Sequence, residues 1–384
     1  FISSYCFFYS SFSGLFDQQE GFGLMAPEIL INIKKRLNGD KKISTMLMIP
    51  ADSSWTVIFG SSGAGKSTIL RTLAGLDRSD KGLIKFGGEI WEDTENQIFI
   101  PPQKRPVGLL FQDFALFPHM TVENNIIYNL PLPKEEKLKR FRELVSLFNL
   151  QGLEKRKPCS LSGGEKQKVA IARTVIRMPK LLLLDEPLSS LDLPTREILQ
   201  RELKKILKKL QIPTIFVTHD RTEAIIMGDR IAVMSDGKVV QMGEVNEVFT
   251  KPDDPSVAAI VGMENVLIGE IVDRSEGLLD IKIGKSRFVA LDTGVMGPEV
   301  AVCVRAEEII LEKGNVPESS ARNRFFGKII DISLQGVTVK LTLDCGFPLV
   351  VLITKRSFID LSIQKGSKLS ASIKAQAIHV FQHD

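Results

Sequence analysis

The stretch with the most explicit chemistry is Gly60-Ser61-Ser62-Gly63-Ala64-Gly65-Lys66-Ser67-Thr68. It fits the phosphate-loop pattern G-x-x-x-x-G-K-[ST] without a mismatch. Its glycines allow a tight turn whose backbone N–H groups converge on phosphate oxygens. A helix beginning directly after it adds partial positive charge. Lys66 is spaced to reach a β- and a γ-phosphate, and the Ser67 hydroxyl to ligate Mg²⁺. The plainer reading is a glycine-rich loop that only turns the chain.

Other residues could work with it. Leu181–Leu184 runs into Asp185-Glu186-Pro187. Adjacent carboxylates at the C-terminal end of a buried strand are costly unless they have a task. Asp185 suits Mg²⁺ coordination through water, and Glu186 suits a general base that polarises a water. His219 follows the apolar run Thr214–Val217. It reads either as a satisfied surface histidine or as a sensor of the γ-phosphate. Ser160-Leu161-Ser162-Gly163-Gly164-Glu165-Lys166-Gln167 places a hydroxyl and free N–H groups ahead of a helical run. That is a helix cap or a second anion site. Gln112, after the run Val107–Phe111, has no meaning by itself.

These residues need strands and helices to hold them. Strand-like runs are expected at Ile29–Ile33, Thr45–Ile49, Trp55–Phe59, Leu83–Phe86 and Val107–Phe111. Residues 134–157 read as a charged surface helix with Leu138, Phe141, Leu144, Val145 and Phe148 on one face. Ser189-Ser190-Leu191-Asp192 leads into a helix with Pro194 in its first turn and a stripe of Leu199, Leu203, Ile206 and Leu210. Ile231–Met234 and Lys238–Met242 flank the turn Asp236-Gly237.

Beyond about residue 262 the helical patterns give way to short alternating runs, the pattern of a small all-β barrel. The runs are Val266–Val272, Leu279–Ile283, Phe288–Leu291, Val300–Arg305, Phe326–Ile332, Gly336–Leu343, Leu349–Ile353 and Leu369–Val380.

The chain has 384 residues, 43% of them hydrophobic and 25% charged, which suggests two or three globular domains. No apolar run approaches the roughly 20 residues of a membrane span. A net charge of +4 argues against nucleic acid as the ligand. Cys6, Cys159, Cys303 and Cys345 lie far apart, without metal-site spacing, and read as reduced thiols. Residues 1–24 contain six Phe and no Lys or Arg, and Met25 reads as a natural start, so 1–24 is expected to be extraneous or disordered.

Taken together and in order, residues 25–262 resemble the ATPase subunit of an ABC transporter. The α/β P-loop core carries a Walker A loop at Gly60–Thr68, a Q-loop glutamine at Gln112 and the signature Leu161–Gln167. A Walker B strand follows at Leu181–Asp185, then Glu186, a D-loop at Ser189–Asp192 and a switch histidine at His219. The resemblance implies a helical subdomain at about 112–178 and a head-to-tail homodimer. Two ATP molecules would be sandwiched, each with Mg²⁺ held by Ser67, Gln112 and Asp185. Ser162, Gly163 and Gly164 would close each site from the other copy, beside Asp192. Lys66, Gln112, Glu186 and His219 would carry hydrolysis. It further implies an integral membrane permease dimer docking on about Phe114–Leu130, a periplasmic or surface substrate-binding protein, and a peripheral place on the cytoplasmic face of the plasma membrane. The family usually stacks an aromatic residue on adenine, and Leu37-Asn38-Gly39-Asp40 offers none.

Residues 263–384 resemble an OB-like TOBE/Mop barrel, best over 317–384, of the kind found in molybdate importer ATPases. The opening motif is Ser319-Ser320-Ala321-Arg322-Asn323, and the closing strand is Ala371–Val380. Ser320, Arg322, Asn323 and Lys374 are the ligands this implies for a molybdate or tungstate oxoanion. Otherwise Arg322 and Lys374 are ordinary exposed charges. Sulfate, ferric iron or a sugar are the alternative cargoes. The spacing of Gln112 and Leu161 leaves no room for the long coiled coil of a DNA-repair ABC ATPase.

Overall fold

The computed structural model describes residues 28–37, 41–189, 191–314 and 319–382. The segment 1–24, the stretch Asn38–Asp40 and Ser190 lie outside the described residues.

A six-stranded sheet forms the centre of the N-terminal part, in the order β11-β10-β3-β9-β8-β7. Its strands are β3 (Trp55–Gly60), β7 (Val107–Leu110), β8 (Leu181–Asp185), β9 (Thr214–Thr218), β10 (Arg230–Ser235) and β11 (Lys238–Glu244). All neighbours from β10 to β7 pair in parallel, and β11 returns antiparallel. Strands β3 and β9 are buried along their whole length. That is why they are continuous apolar runs without alternation.

A second, antiparallel sheet, β2-β1-β4-β5-β6, is interleaved with it in sequence, on either side of β3: β1 (Glu28–Arg36), β2 (Lys42–Pro50), β4 (Lys81–Phe86), β5 (Glu89–Asp93) and β6 (Ile98–Phe99). Strands β5 and β6 have no strong sequence signal, because charged residues dominate β5 and β6 has only two residues.

Helices cover the parallel sheet: α1 (Lys66–Leu73), α2 (Val122–Ile126), α3 (Lys134–Leu147), α4 (Gly163–Val175), α5 (Leu193–Leu210) and α6 (Arg221–Met227). Helix α3 is shorter than the expected 134–157. It ends at Phe148, Asn149 adopts a left-handed φ of 54°, and a turn follows. The apolar stripe predicted the face correctly, with Phe141, Leu144, Val145 and Phe148 buried. Charge alone carried the reading past the real stop.

Two short helices, α7 (Val245–Thr250) and α8 (Pro255–Ile260), lead to the β-rich C-terminal part. It consists of two five-stranded sheets over one core, which includes Phe288, Phe325 and Phe347 with ring centroids 4.4–5.3 Å apart. The first sheet, β14-β13-β12-β15-β21, contains β12 (Asn265–Ser275), β13 (Leu278–Ile283), β14 (Ser286–Leu291), β15 (Glu299–Val304) and β21 (Ile378–Gln382). The second, β19-β18-β17-β20-β16, contains β16 (Ile310–Glu312), β17 (Asn323–Gln335), β18 (Thr338–Asp344), β19 (Pro348–Thr354) and β20 (Lys368–Ile373), with helix α9 (Lys355–Asp360) between its last strands.

The two sheets have one topology. In each, a long bulged strand is followed by two hairpin strands and a return strand, and the fifth strand is exchanged. Strand β16 follows β15 but joins the second sheet, and β21 follows β20 but joins the first. The run Leu369–Val380 is therefore two strands in different sheets, broken by a 3₁₀ turn at Ala375–Ala377, and not one closing strand. Asn265 and Asn323 occupy matching positions at the heads of β12 and β17. Asn265 exchanges hydrogen bonds with Val350 (2.7 and 2.8 Å), and Asn323 with Val289 (2.6 and 2.9 Å). Each asparagine pins a strand of the other sheet. The repeated sequences Asn265-x-x-x-Gly269 and Asn323-x-x-x-Gly327 are the signal for this duplication.

Candidate nucleotide site

Parallel pairing brings the C-terminal ends of β3, β9, β8 and β7 side by side. Phe59 pairs with Thr218, Val217 with Asp185, and Leu184 with Leu110. Each strand ends in one of the candidate groups: the glycine loop after β3, His219 after β9, Asp185-Glu186 at the end of β8, and Gln112 shortly after β7. A parallel sheet collects ligands at this edge.

The loop 60–65 has the conformation its glycines permit. A Cβ on Gly60 would lie 2.3 Å from the Met234 carbonyl oxygen. Gly65 caps α1 with φ of 99°, where a Cβ would also press on Ile43 at 2.8 Å. Lys66 is 4% exposed, and its Nζ donates to the carbonyls of Gly60 and Ser61, both at 2.9 Å. Glu186 Oε1 stands 3.8 Å away. Burial holds the Lys66 ammonium below the usual lysine range, and the nearby Glu186 and Asp185 charges pull the other way.

Ser67 Oγ donates to Asp185 Oδ1 at 2.9 Å. Burial pushes the Asp185 carboxyl above the usual range, Ser67 opposes this, and the adjacent Glu186 adds to it. A hydroxyl and a carboxylate oxygen facing each other beside a second carboxylate are a hard-oxygen set of the kind Mg²⁺ uses. The residues present fit that ion.

Glu186 adopts φ of 42°, a left-handed conformation that is costly for a residue with a Cβ. Its N–H is held by the Val217 carbonyl at 3.1 Å, and its Oε1 lies 3.0 Å from His219 Nδ1. Its carbonyl accepts from Ser189 Oγ at 2.9 Å, and Gln112 Nε2 reaches the same Ser189 hydroxyl at 3.4 Å. Lys66, Ser67, Gln112, Asp185, Glu186, Ser189 and His219 thus form one connected network.

Ser162, Gly163 and Gly164 are not part of it. Ser162 caps α4 in a closed capping box: its Oγ accepts from Glu165 N at 3.3 Å, and its N–H donates to Glu165 Oε2 at 2.7 Å. Gly163 packs against Leu191, where a Cβ would sit 2.8 Å from Cδ2. Among the described residues no hydrogen bond or ion pair joins this helix start to Lys66. Asp192 caps α5, accepting from Thr195 N and Oγ1.

Arg173 and Arg196 had no sequence signal. Phe114 and Ala115 adopt consecutive left-handed φ values of 56° and 46°. Arg173, on α4, donates to both their carbonyls at 2.9 and 2.8 Å. Asn125, fully buried, then ties the loop through Phe117, Met120 and Thr121.

In the C-terminal part, Asn323 pairs with Ile373 across β17 and β20, so Arg322 and Lys374 stand opposite each other at the end of that ladder. Ser320, Arg322 and Lys374 are exposed. Asn323 is 1% exposed and both ends of its amide are bonded to backbone, so its side chain has no atom left for an anion. Arg322 also lines a cavity with Glu276 and Asp280.

A family model described as "ABC transporter" matches residues 48–189, and a "TOBE domain" model matches 319–380. A molybdate/tungstate import ATP-binding protein of Pyrococcus horikoshii is 41% identical over 329 residues, 85% of this chain and 91% of that protein. A trehalose/maltose import ATP-binding protein of Thermococcus litoralis is 38% identical over 74% of this chain and 79% of its own length. A spermidine/putrescine import ATP-binding protein of Clostridium acetobutylicum is 38% identical over 83% and 88%. Among solved structures, cbiO1 from Clostridium perfringens, part of the ABC transporter complex cbiONQ, superposes with a TM-score of 0.52 and 27% identity, over 58% of this chain and 90% of that one. With a phosphate loop, carboxylates and histidine on one sheet edge and a TOBE domain behind them, the chain belongs to the ATP-binding proteins of ABC importers.

Proposed function

We propose that this chain hydrolyses ATP to drive a membrane permease that imports molybdate or tungstate. The observation that supports the ATPase part is the gathering of two hydrogen-bonded pairs, Ser67 on Asp185 and His219 on Glu186, beside Lys66, whose Nζ lies 3.8 Å from Glu186. Lys66 balances charge on the β- and γ-phosphates. Ser67 and Asp185, with Gln112, would hold Mg²⁺, which would supply neutralisation of charge developing on the phosphate oxygens. Glu186 polarises the attacking water and accepts its proton. His219, oriented by Glu186, donates toward the γ-phosphate. Catalysis here is mainly positioning and charge stabilisation.

Ser162, Gly163 and Gly164 of a second copy close the site, with Asp192 nearby, so the working unit is a homodimer. The permease dimer docks on Phe114–Leu130, and a periplasmic or surface binding protein delivers cargo to it. The ATPase sits peripherally on the cytoplasmic face of the membrane. The test is magnesium-dependent ATP turnover by the purified chain, expected to vanish in Lys66→Ala. Turnover unaffected by that substitution refutes the reading.

The cargo part is supported by the molybdate/tungstate relative and by the opposed Arg322 and Lys374 beside Ser320, now without Asn323. Titration calorimetry of the full chain with molybdate, tungstate and sulfate tests it. Binding of the first two but not sulfate is expected. No heat, or equal heat with all three, points to another cargo.

A further inference from the structure

Among the described residues, Arg196, at the start of α5, makes no hydrogen bond or ion pair to the phosphate loop or to the start of α4. It holds two other loops together. Its Nη2 donates to the carbonyls of Leu191 at 2.9 Å and Ser189 at 3.3 Å. Its Nη1 reaches Asp220 Oδ2 at 3.5 Å, directly after His219. One planar guanidinium thus grips the Ser189–Asp192 turn on one side and the His219 loop on the other.

Both loops are otherwise tied to the reacting end of Glu186. Ser189 donates to the Glu186 carbonyl and receives Gln112, while His219 meets the Glu186 carboxylate. The His219 loop is braced from behind. Thr218 Oγ1 donates to Glu223 Oε2 at 2.5 Å and accepts from Asp220 N at 2.9 Å, and Asp220 caps α6 by accepting from Glu223 N. A small cavity lies between, lined by Glu186, Ser189, Arg196, Thr218, His219 and Glu223 among others.

Two buried atoms there have no hydrogen-bond partner among the described residues: Arg196 Nε and Glu223 Oε1. They stand 3.9 Å apart, so a shift of about 1 Å would bring them to hydrogen-bond distance. The clamp therefore holds an unused donor and an unused acceptor side by side.

We propose that Arg196 is a positioning residue for hydrolysis, locking the Ser189–Asp192 turn to the His219 loop so that His219 stays on Glu186. This rests on the ATPase reading above. The general physics is that a group holding others in register affects turnover without affecting substrate affinity.

The experiment uses the full chain with MgATP and two variants. Arg196→Gln should lower kcat at least about tenfold while KM for ATP stays within about twofold. In protein labelled with ¹⁵N-histidine and free of nucleotide, the His219 signal, assigned by its loss in His219→Ala, should move toward that of free imidazole. Arg196→Lys keeps the charge but loses the fork, and should show both effects at smaller amplitude. It is the variant read if Arg196→Gln does not fold. A wild-type kcat in the folded variant overturns the proposal. So does an unmoved His219 signal, or equal loss of ATP binding and turnover. The wild type and Lys66→Ala, assayed alongside, decide the ATPase reading independently of Arg196.

Discussion

At Glu186 the chain accepts an unfavourable backbone conformation to aim one carboxylate between Lys66 and His219. Replacing it by Gln keeps the shape and removes the base. Glu186→Gln should bind ATP as the wild type does, yet turn it over at least about a hundredfold more slowly, as expected for a general base; single-turnover assays with trapped nucleotide check this. Glu223 is a different kind of buried carboxylate. Burial pushes its carboxyl above the usual range, helped by Asp220 and opposed by Thr218, Arg196 and His219. An acid with a raised folded pKa holds its proton in the native state where the unfolded chain has lost it. Stability is then fully present below the unfolded pKa and falls as pH rises through the folded one. Glu223→Gln should flatten that fall, and thermal melts from the carboxylate range up to pH ~8 read it. A variant as pH-sensitive as the wild type would assign the dependence elsewhere.

Among the elements, the exchanged strands make the two C-terminal sheets depend on each other. Asn265 and Asn323 are each buried and each satisfy backbone groups of the opposite sheet. Removing such an amide leaves backbone donors and acceptors unpaired in the interior. Asn323→Ala and Asn265→Ala should each cost about 2–4 kcal/mol, by denaturant unfolding, as expected for several buried hydrogen bonds lost together. A loss under about 1 kcal/mol would mean the strands are held by packing alone. The sequence reading found most of these strands because their alternation is strong. It missed β16, which has three residues, and merged β20 with β21, because Lys374-Ala-Gln-Ala keeps an apolar alternation through the break. It also extended α3 too far, because polar residues continue past Phe148.

For the whole molecule, the joint between the ATPase part and the β-rich part combines a small apolar cluster, Ala258, Met263 and Cys303, with a set of polar and ring contacts. Arg305, 7% exposed, donates to the Phe249 carbonyl, and Arg221 pairs with Glu307 at 3.0 Å while lying over the Phe249 ring. Phe249 in turn packs edge-on against Phe59, at the end of the strand that leads into the phosphate loop. Lys374, in the position matching Arg305 in the second sheet, is left exposed. The duplicated C-terminal part thus uses one of its equivalent cations for docking. Arg305→Ala should uncouple the two parts, so that calorimetry resolves two melting transitions where the wild type gives one or a closer pair.

The sequence alone determined the fold class, because a phosphate loop between a buried strand and a helix, followed by apolar runs ending in charged groups, is compatible with few other folds. It also named Lys66 and Ser67, from the phosphate-loop pattern, and Asp185, Glu186 and His219, since each of these three stands at the end of a continuous apolar run that marks a buried strand. It could not say which of those strands are neighbours. That was decided by the parallel register of β3, β9, β8 and β7, which set Glu186 beside His219. It could not mark Arg173 or Arg196, because an arginine on a helix has the same local pattern whether its guanidinium meets water or two distant loops. Nor could it withdraw Asn323 from the anion set: only the packing of β14 in the first sheet against the head of β17 in the second put the backbone of Val289 against that amide.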